Sequence, residues 1–359
     1  MGSFGHNHAR VYHELQKAGH PVELVAIVDS DRARAEAVSA QFAARPFQSS
    51  EELVAAHRSG ELELHAASIA VPTVHHLAAA RSMMEAGVDV LIEKPLAASM
   101  EDADELIRIR SLTGRIAQTG HLERYNPAVQ ATIPLLNKPM FFECHRLSIF
   151  TPRSLDVDVV LDLMIHDLDI VLSFADSPVK EVRAVGLPIL SSKVDIANVR
   201  VEFDSGCVAN FTASRVSTER IRKLRFFQPH EYLSIDYARQ DVIRIGVEPS
   251  AFALGLAGPG STKSPLAAVP VPSLPATMPA LAPSSPGGGM PGIRLSKPEV
   301  IAGEPLLAEI LSFLASVSAR TQPVVTLEDG RRALSLALDI TKAMAEHHHR
   351  ANIDAVTSQ

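Results

Sequence analysis

The sequence Gly2-Ser3-Phe4-Gly5-His6-Asn7-His8 opens the chain and runs into an amphipathic segment from Ala9 to Ala18. It has the spacing of the second half of a G-x-G-x-x-G loop, whose glycines let the backbone approach a dinucleotide pyrophosphate at the start of a helix. Gly2 would be the middle glycine and Gly5 the last. The pattern predicts a nicotinamide-dinucleotide site, and it predicts that a first glycine and an apolar strand belong ahead of Met1.

The composition is that of a globular protein with room for two domains. The chain has 359 residues, of which 46% are hydrophobic and 21% charged, and a formal net charge of −7. Without a long basic block, this charge argues against a nucleic-acid partner, because phosphate binding needs a concentrated positive surface. The sequence contains no apolar run long enough for a membrane span and no secretory signal. Cys144 and Cys207 lie in apolar segments and are interpreted as reduced core residues, so we expect a cytoplasmic protein.

Residues 1–119 alternate apolar strand patterns with helical patterns. Val22–Val28, Leu64–Val71 and Val88–Ile92 are nearly unbroken apolar runs, as a parallel sheet covered on both faces requires. Ser99 stands as the N-cap of one of the helices between and after them. The alternation predicts a doubly wound α/β domain of the Rossmann type.

From Gly120 onward the pattern changes to consecutive strands. Five segments have strand character, and one helix lies between the first and the second: 139–149, 180–188, 194–204, 207–215 and 221–246, with the helix from Leu161 to Phe174. Consecutive strands without crossover helices pair antiparallel. We therefore predict that residues 120–350 form an α+β domain with a large, mostly antiparallel sheet.

Residues 255–292 interrupt this second domain. They are rich in Pro, Gly, Ser and Ala and show no periodic apolar face, so we predict a disordered or loosely attached surface insertion. A helical pattern resumes at Glu304, and a last helix begins at Thr326, with Asp329 in the capping-box position. The tract His347–His349 lacks partner ligands and is interpreted as a helix end, and no metal site is predicted.

Asp29 ends the second predicted strand, 24 residues after Gly5. A carboxylate there can accept hydrogen bonds from both adenosine ribose hydroxyls and repels a 2′-phosphate, which favours NAD over NADP. Arg32 follows closely and could tolerate a phosphate. The alternative is that Asp29 or Asp31 caps the next helix, and we expect Asp31 to do so.

Glu93-Lys94-Pro95 follows the Val88–Ile92 strand. In an open α/β sheet the carboxyl ends of the strands line the ligand crevice. A lysine there can contact a reacting hydroxyl, and burial can lower its pKa toward neutrality. The alternative is a solvated loop lysine paired with Glu93.

Asp162 and His166 lie in the strongly apolar segment 159–172. On a helix they would be i, i+4 neighbours, and buried ionisable groups need partners. A histidine beside a carboxylate is a natural proton acceptor. A structural Asp–His pair is the alternative, and a metal site that adds His145 matches no strong metal motif.

These motifs, in this order, resemble those of the glucose–fructose oxidoreductase / inositol dehydrogenase / MocA family. The matching segments are the glycine loop with His8, Asp29, Val71-Pro72-Thr73 with His76, Glu93-Lys94-Pro95, and Asp162-x-x-x-His166. The resemblance covers nearly the whole chain, and Glu-Lys-Pro with a downstream Asp-x-x-x-His is its specific part.

The resemblance implies an enzyme that transfers a hydride between a sugar or cyclitol carbinol carbon and a nicotinamide. His166 would take the hydroxyl proton, Lys94 would hold the same oxygen, and Asp162 would orient substrate and His166. It assigns to the cofactor the residues Gly2, Ser3, Phe4, Gly5, His8, Asp29, Val71, Pro72, Thr73, His76, Glu93 and Lys94.

Two further segments are similar to those of family members that act on UDP-linked N-acetyl sugars. They are Gly120 to Pro127, which contains Arg124-Tyr125-Asn126, and Ser148 to Ser154, which contains Arg153. The similarity implies oxidation at C3 of UDP-N-acetylglucosamine, ahead of a transamination toward an aminated lipid A precursor. Arg124, Tyr125, Asn126, Arg153, Asp162 and His166 would bind this substrate. Arg124 could instead be a structural arginine at the domain junction.

Two other functions stay open on the sequence alone. A cyclitol or aldose dehydrogenase would act on a free sugar without the UDP moiety. A non-catalytic dinucleotide-binding protein would not need Lys94, Asp162 and His166, so the presence of all three argues against it. The partners expected are a small-molecule substrate and further copies of the chain, as a dimer or tetramer.

Overall fold

The computed structural model describes residues 2–151, 157–247 and 293–351. Arg153 and the predicted insertion at 255–292 lie outside these ranges. Within them, no helix is long and apolar enough to cross a membrane.

The first part of the chain alternates helices and strands as predicted. Its elements are α1 Ser3–Lys17, β1 Ala26–Val28, α2 Arg32–Phe42, β2 Arg45–Phe47, α3 Ser50–Arg58, β3 Ala66–Ile69, α4 His76–Glu85, β4 Asp89–Glu93, α5 Met100–Thr113 and β5 Ala117–Gly120. All strand pairs among them are parallel. All five residues of β4 are buried, including the acidic residues at its two ends, Asp89 and Glu93. The predicted doubly wound domain is confirmed.

The parallel strands form two separate pieces. One piece pairs β1 with β2, and the other has the order β3-β4-β5. A space of about 2130 Å³ lies between the facing edges, and both Val25–Asp29 and Leu64–Val71 line it. The run Val22–Val28 forms a strand only from Ala26, because β1 has a partner on one side alone. The gap lies where a strand ahead of α1 would complete the sheet.

The second part of the chain builds one eight-stranded sheet. Its strands are β6 Phe141–Ile149, β7 Val179–Leu187, β8 Ile196–Phe203, β9 Val208–Ser217, β10 Ile221–Gln228, β11 Glu231–Asp236, β12 Asp241–Val247 and β13 Ile293–Ser296. The order is β13-β12-β11-β10-β6-β9-β8-β7. Among these described strands, β6 and β9 pair parallel and the other neighbours pair antiparallel. The predicted α+β architecture with a mostly antiparallel sheet is confirmed.

Helices cover one face of this sheet and tie it to the first part. They are α6 Pro127–Thr132, α7 Ile165–Ala175, α8 Pro305–Ala319 and α9 Leu327–Ala351. The first turns of the predicted helix 161–174 differ from expectation, because Val160–Met164 is a π-helical turn that leads into α7. Such widened turns occur frequently at functional sites.

The last two helices return to the dinucleotide-binding part. α8 packs against α1 through Phe313 and Ile310, which join Val11 and Leu15 in one apolar cluster. α9 begins with the predicted capping box, in which Asp329 Oδ2 accepts a hydrogen bond of 2.9 Å from the Thr326 backbone amide. The predicted domain boundary near residue 119 is therefore crossed by packed helices.

Candidate active site

The predicted catalytic residues meet where β4 ends. Lys94 follows β4, and its Nζ donates a 2.7 Å hydrogen bond to the backbone carbonyl of Asp162 in the π-helical turn. The Asp162 carboxylate Oδ1 lies 4.0 Å from the same Nζ. His166 is the second residue of α7, about one helical turn after Asp162. The fold thus brings into contact two residues, Lys94 and Asp162, that lie 68 positions apart in the sequence.

Burial sets the protonation of the lysine. It lowers the pKa of Lys94, while the carboxylates of Asp162 and Glu93 oppose the shift and the Arg146 charge adds to it. The side chain keeps 18% of its surface exposed, so a substrate can still reach it. A cation with a lowered pKa at a strand end can hold and polarise a substrate oxygen.

His166 is suited to accept a proton. Burial lowers the pKa of His166 well below its ordinary value, and the positive charges of Lys94 and Arg146 lower it further. The ring is therefore neutral at pH 7, which is the state a general base needs. Its Nδ1 has no hydrogen-bond partner within the described residues. The expected pairing with Asp162 is not formed in this geometry, because the widened turn intervenes between them.

His121 is a site residue that the motif analysis did not single out. It is 1% exposed, and neither ring nitrogen has a hydrogen-bond partner among the described residues. Burial lowers the pKa of His121, and the nearby charges of Asp169, Arg124 and Lys94 also act on it. A buried imidazole with two unsatisfied nitrogens is costly unless a ligand satisfies them. The available signal was its position directly after β5, at the same sheet edge as Lys94.

Glu93 anchors α1 to the sheet edge. Its Oε1 lies 2.9 Å from His8 Nε2, and His8 Nδ1 lies 3.1 Å from Ser68 Oγ on β3. Gly120 ends the neighbouring strand, where an added Cβ would lie 2.8 Å from Glu93 Oε1. A glycine is needed there because this carboxylate occupies the space of a side chain. Glu93 and His8, both predicted to serve the cofactor, thus meet each other.

Half of the twelve predicted cofactor residues line the cleft, which is the space between β1 and β3. Gly2, Gly5 and His8 border it together with Asp29, Val71 and Pro72. Asp29 follows β1, and its Oδ1 accepts a 2.8 Å hydrogen bond from the Asp31 backbone amide. Asp31 caps α2 through a 3.2 Å hydrogen bond from the Arg34 amide, as expected.

The segment after β3 is fixed by His76. This buried ring lies 3.0 Å from the Val71 carbonyl through Nε2 and 3.3 Å from the Leu96 carbonyl through Nδ1. Burial lowers the pKa of His76. His76 holds the Val71–Pro72–Thr73 segment beside β4, so it would contribute to cofactor binding by positioning that segment.

The segment Arg124-Tyr125-Asn126 is largely buried and is hydrogen-bonded to other parts of the protein. Arg124 donates two hydrogen bonds to the Asp169 carboxylate, at 2.6 and 2.9 Å. Tyr125 is 7% exposed and Asn126 2% exposed. Asn126 caps α6 through a 3.1 Å hydrogen bond from the Ala128 amide. This is the arrangement that the structural alternative requires, and substrate binding by these three residues stays a prediction.

A second buried arginine supports the floor of the site. Arg146 is 3% exposed, donates two hydrogen bonds to Asp167 at 2.7 and 2.9 Å, and donates one to Glu123 at 3.0 Å. Its guanidinium also lies 5.1 Å from the Tyr237 ring centroid. The positive charge of Arg146 is therefore paired within the protein, as a buried charge requires.

The residues present fit a dinucleotide on both sides of the cleft. The first backbone amides of α1 lack intrahelical hydrogen-bond partners, as at the start of any helix, so they can donate to a ligand. An added Cβ at Gly2 would meet nothing within 4 Å, so the approach to these amides is open. Asp29 supplies acceptors on the β1 side, and Lys94 stands on the β4 side. Fold and site together define a dinucleotide-dependent oxidoreductase with separate cofactor and substrate parts.

The chain belongs to the GFO/IDH/MocA oxidoreductase family. Residues 1–121 match its NAD-binding Rossmann domain, and residues 139–227 match its C-terminal domain. The chain is 32% identical over 345 residues to UDP-N-acetylglucosamine 3-dehydrogenase of Acidithiobacillus ferrooxidans, a match that covers 96% of this chain and 95% of the relative. A solved structure under that name aligns with a TM-score of 0.77 at 31% identity, over 95% of this chain and 94% of the other.

Other relatives are more distant. An inositol 2-dehydrogenase of Rubrobacter xylanophilus is 30% identical over 193 residues, which cover 52% of this chain and 53% of the relative. An oxidoreductase from Agrobacterium radiobacter, solved in complex with NAD+, aligns with a TM-score of 0.73 at 15% identity over 96% and 94% of the two chains, and shows the same fold. The protein is therefore an NAD-binding oxidoreductase.

Proposed function

We propose that the enzyme oxidises a secondary hydroxyl of a sugar nucleotide with NAD, at C3 of UDP-N-acetylglucosamine. The observation that carries the proposal is the contact of Lys94 with Asp162 at the carboxyl end of β4, close enough to His166 for the Lys94 charge to act on its ring. The relative of that name, similar over nearly the whole chain, supports the choice of substrate. A cytoplasmic step ahead of transamination of the 3-keto sugar is part of the same proposal.

Each of the three residues has one task. His166, neutral because of its lowered pKa, accepts the hydroxyl proton. Lys94 donates a hydrogen bond to the same oxygen and stabilises the charge that develops on it. Asp162 holds Lys94 through its carbonyl and has its carboxylate 4.0 Å from the ammonium, so it orients Lys94. NAD, when bound, supplies a nicotinamide carbon that accepts the hydride.

The experiment is turnover with NAD and UDP-N-acetylglucosamine, followed by absorbance of the reduced cofactor. UDP-glucose, free N-acetylglucosamine and myo-inositol serve as controls. We expect the UDP-N-acetyl sugar to react best, because remote groups of the substrate help to align the reacting carbon. Equal turnover of free inositol would replace this proposal with a cyclitol dehydrogenase, which the partial similarity to inositol dehydrogenases favours as the second candidate.

The cofactor preference is tested at Asp29. We propose that its carboxylate, at the cleft on the β1 side, faces the adenosine ribose and repels a 2′-phosphate. Asp29→Ala should narrow the ratio of kcat/KM for NAD over NADP, mainly through better use of NADP. A wild-type enzyme that prefers NADP would contradict the assignment, and Asp31→Ala is the matched control for loss of a nearby carboxylate.

A further inference from the structure

One row of side chains on β10 leads from the core to the active site. Phe226 and Leu224 are fully buried on this face, and Arg222 is the next residue in the same alternation. Arg222 stands opposite Arg146 in the register of β10 with β6. It is exposed, whereas Arg146 is buried. The row therefore ends in a guanidinium at the rim of the site.

The pairing of the arginines around the site sets Arg222 apart. Arg146 is bound to Asp167 and Glu123, and Arg124 is bound to Asp169. Within the described ranges, Arg222 has no hydrogen bond or ion pair with a carboxylate. These two arginines of the site are thus paired, whereas the exposed Arg222 has no such partner among the described residues.

Arg222 has charged neighbours of both signs. Loss of hydration lowers its pKa most, the charges of Arg146 and Arg220 also lower it, and the carboxylates of Glu123 and Asp167 oppose the shift. Arg222 also contributes to lowering the pKa of His166, so its charge acts across the site on the proposed base. A partly dehydrated guanidinium that is not hydrogen-bonded to a carboxylate of its own is a favourable place for an anion.

We propose that Arg222 binds the diphosphate of the sugar-nucleotide substrate. The inference rests on the proposed function, in which C3 of the sugar faces His166. The diphosphate is attached at C1, which only C2 separates from C3, so its binding residue must lie near His166 without touching the reacting carbon. A guanidinium can donate two parallel hydrogen bonds to phosphate oxygens, which fixes the sugar as well as attracting it.

The first test compares Arg222→Gln with Arg225→Gln. Arg225 lies on the same strand but on the opposite face, with its Nη1 3.9 Å from Glu143. We expect Arg222→Gln to raise the KM for UDP-N-acetylglucosamine by about 10- to 100-fold, as loss of hydrogen bonds to a charged group typically does. The kcat should change little, because the group does not touch the reacting carbon. Arg225→Gln should match the wild type.

The second test measures binding of UDP by titration calorimetry, with uridine as the uncharged control. UDP should bind more weakly to Arg222→Gln than to wild type, and uridine should not distinguish them. Arg222→Lys should be intermediate, since it keeps the charge and loses the fork. Melting temperatures of all variants establish that each is folded, and Arg222→Lys takes the place of Arg222→Gln if the latter unfolds.

The outcomes separate this inference from the proposed function. Turnover of UDP-N-acetylglucosamine with an unchanged KM in Arg222→Gln overturns the role of Arg222 and leaves the function intact. Absence of turnover in the wild type, together with Arg222-dependent UDP binding, removes the proposed reaction and supports the diphosphate site. No UDP binding by the wild type, or equal binding by both proteins, overturns the inference.

Discussion

At the scale of single residues, the site depends on two groups whose charged forms are disfavoured by burial. Lys94 and His166 both have a lowered pKa, chiefly because of burial. We expect Lys94→Ala and His166→Ala each to lower turnover by about 10²- to 10⁴-fold, the usual contribution of a positioned acid–base group. NAD affinity, measured by calorimetry, should change far less.

The exposed His65 is the matched control for these substitutions, since its side chain is 76% exposed and remote from Lys94. His65→Ala should keep wild-type kcat. Near-normal kcat in either active-site variant removes that residue from the chemistry.

Three buried histidines make stability depend on pH. Burial lowers the pKa of His76, His121 and His166 in the folded protein. In the unfolded chain each ring titrates near about 6.5, so below that pH the unfolded chain binds more protons. The free energy of unfolding should therefore fall as the pH drops from about 7 to about 5, a window set by the unfolded value.

Urea denaturation at pH 7.5 and pH 5.5 measures this loss. His121→Phe removes one of the three rings without opening a large cavity, so its loss between the two pH values should be smaller. His65→Phe, at an exposed position, should lose as much as the wild type. An identical loss in His121→Phe and wild type would falsify the assignment of His121 to this effect.

At the scale of elements, α9 packs closely against β5. An added Cβ at Gly330 would lie 2.5 Å from Thr119 Oγ1 and 2.7 Å from its Cγ2. Gly330→Ala should lower the free energy of unfolding by about 1–3 kcal/mol, although alanine is favoured over glycine in an unconstrained helix. Thermal denaturation measures the change.

Gly303→Ala is the control for this prediction, because its added Cβ would meet only Pro127 Cγ at an ordinary 3.7 Å. It should leave the melting temperature close to that of the wild type. A more stable Gly330→Ala protein would show that α9 can move away from β5 at little cost.

The sequence predicted the elements best where the signal was local. Ser99 caps α5 through a 3.1 Å hydrogen bond from the Asp102 amide, as the capping pattern indicated. The π-helical turn at Val160–Met164 was not foreseen, because an apolar segment has the same periodicity signal with or without one wider turn.

Long-range pairing was beyond the sequence. The Asp169 carboxylate binds the guanidinium of Arg124 from 45 positions away, and the sequence around each residue does not indicate the other as its partner. His121 was passed over because a single histidine carries no spacing signal. Lys94, Asp162 and His166 were predicted from a strand end and an apolar helical segment, and the family resemblance assigned their catalytic roles. The structure adds that Lys94 and Asp162 are in contact.

At the scale of the whole molecule, the divided parallel sheet leaves two unpaired strand edges facing each other. The facing edges belong to β1 and β3, and the space between them is about 2130 Å³. An apolar segment of about five to six residues, fused ahead of Gly2, has the length of an average strand. It should pair with both edges, bury apolar surface and raise the melting temperature.

A Gly-Ser extension of the same length is the control, since it adds chain without strand propensity or apolar surface. Equal melting temperatures for the two extended proteins would show that the space does not accept a strand. If only the apolar extension raises the melting temperature, that protein should also bind NAD more tightly. The added strand, paired with β1 and β3, would fix the positions of Gly2 and Gly5.

The same gap places the two ends of the cofactor cleft on different bodies. Asp29 belongs to the β1–β2 piece, and Lys94 belongs to the β3-β4-β5 piece. A dinucleotide that reaches both would act as a cross-link between them, and the free energy of fixing their separation would be subtracted from its affinity. AMP contacts only the first body and escapes this penalty. The difference in affinity between NAD and AMP is thus a measure of the rigidity of the sheet.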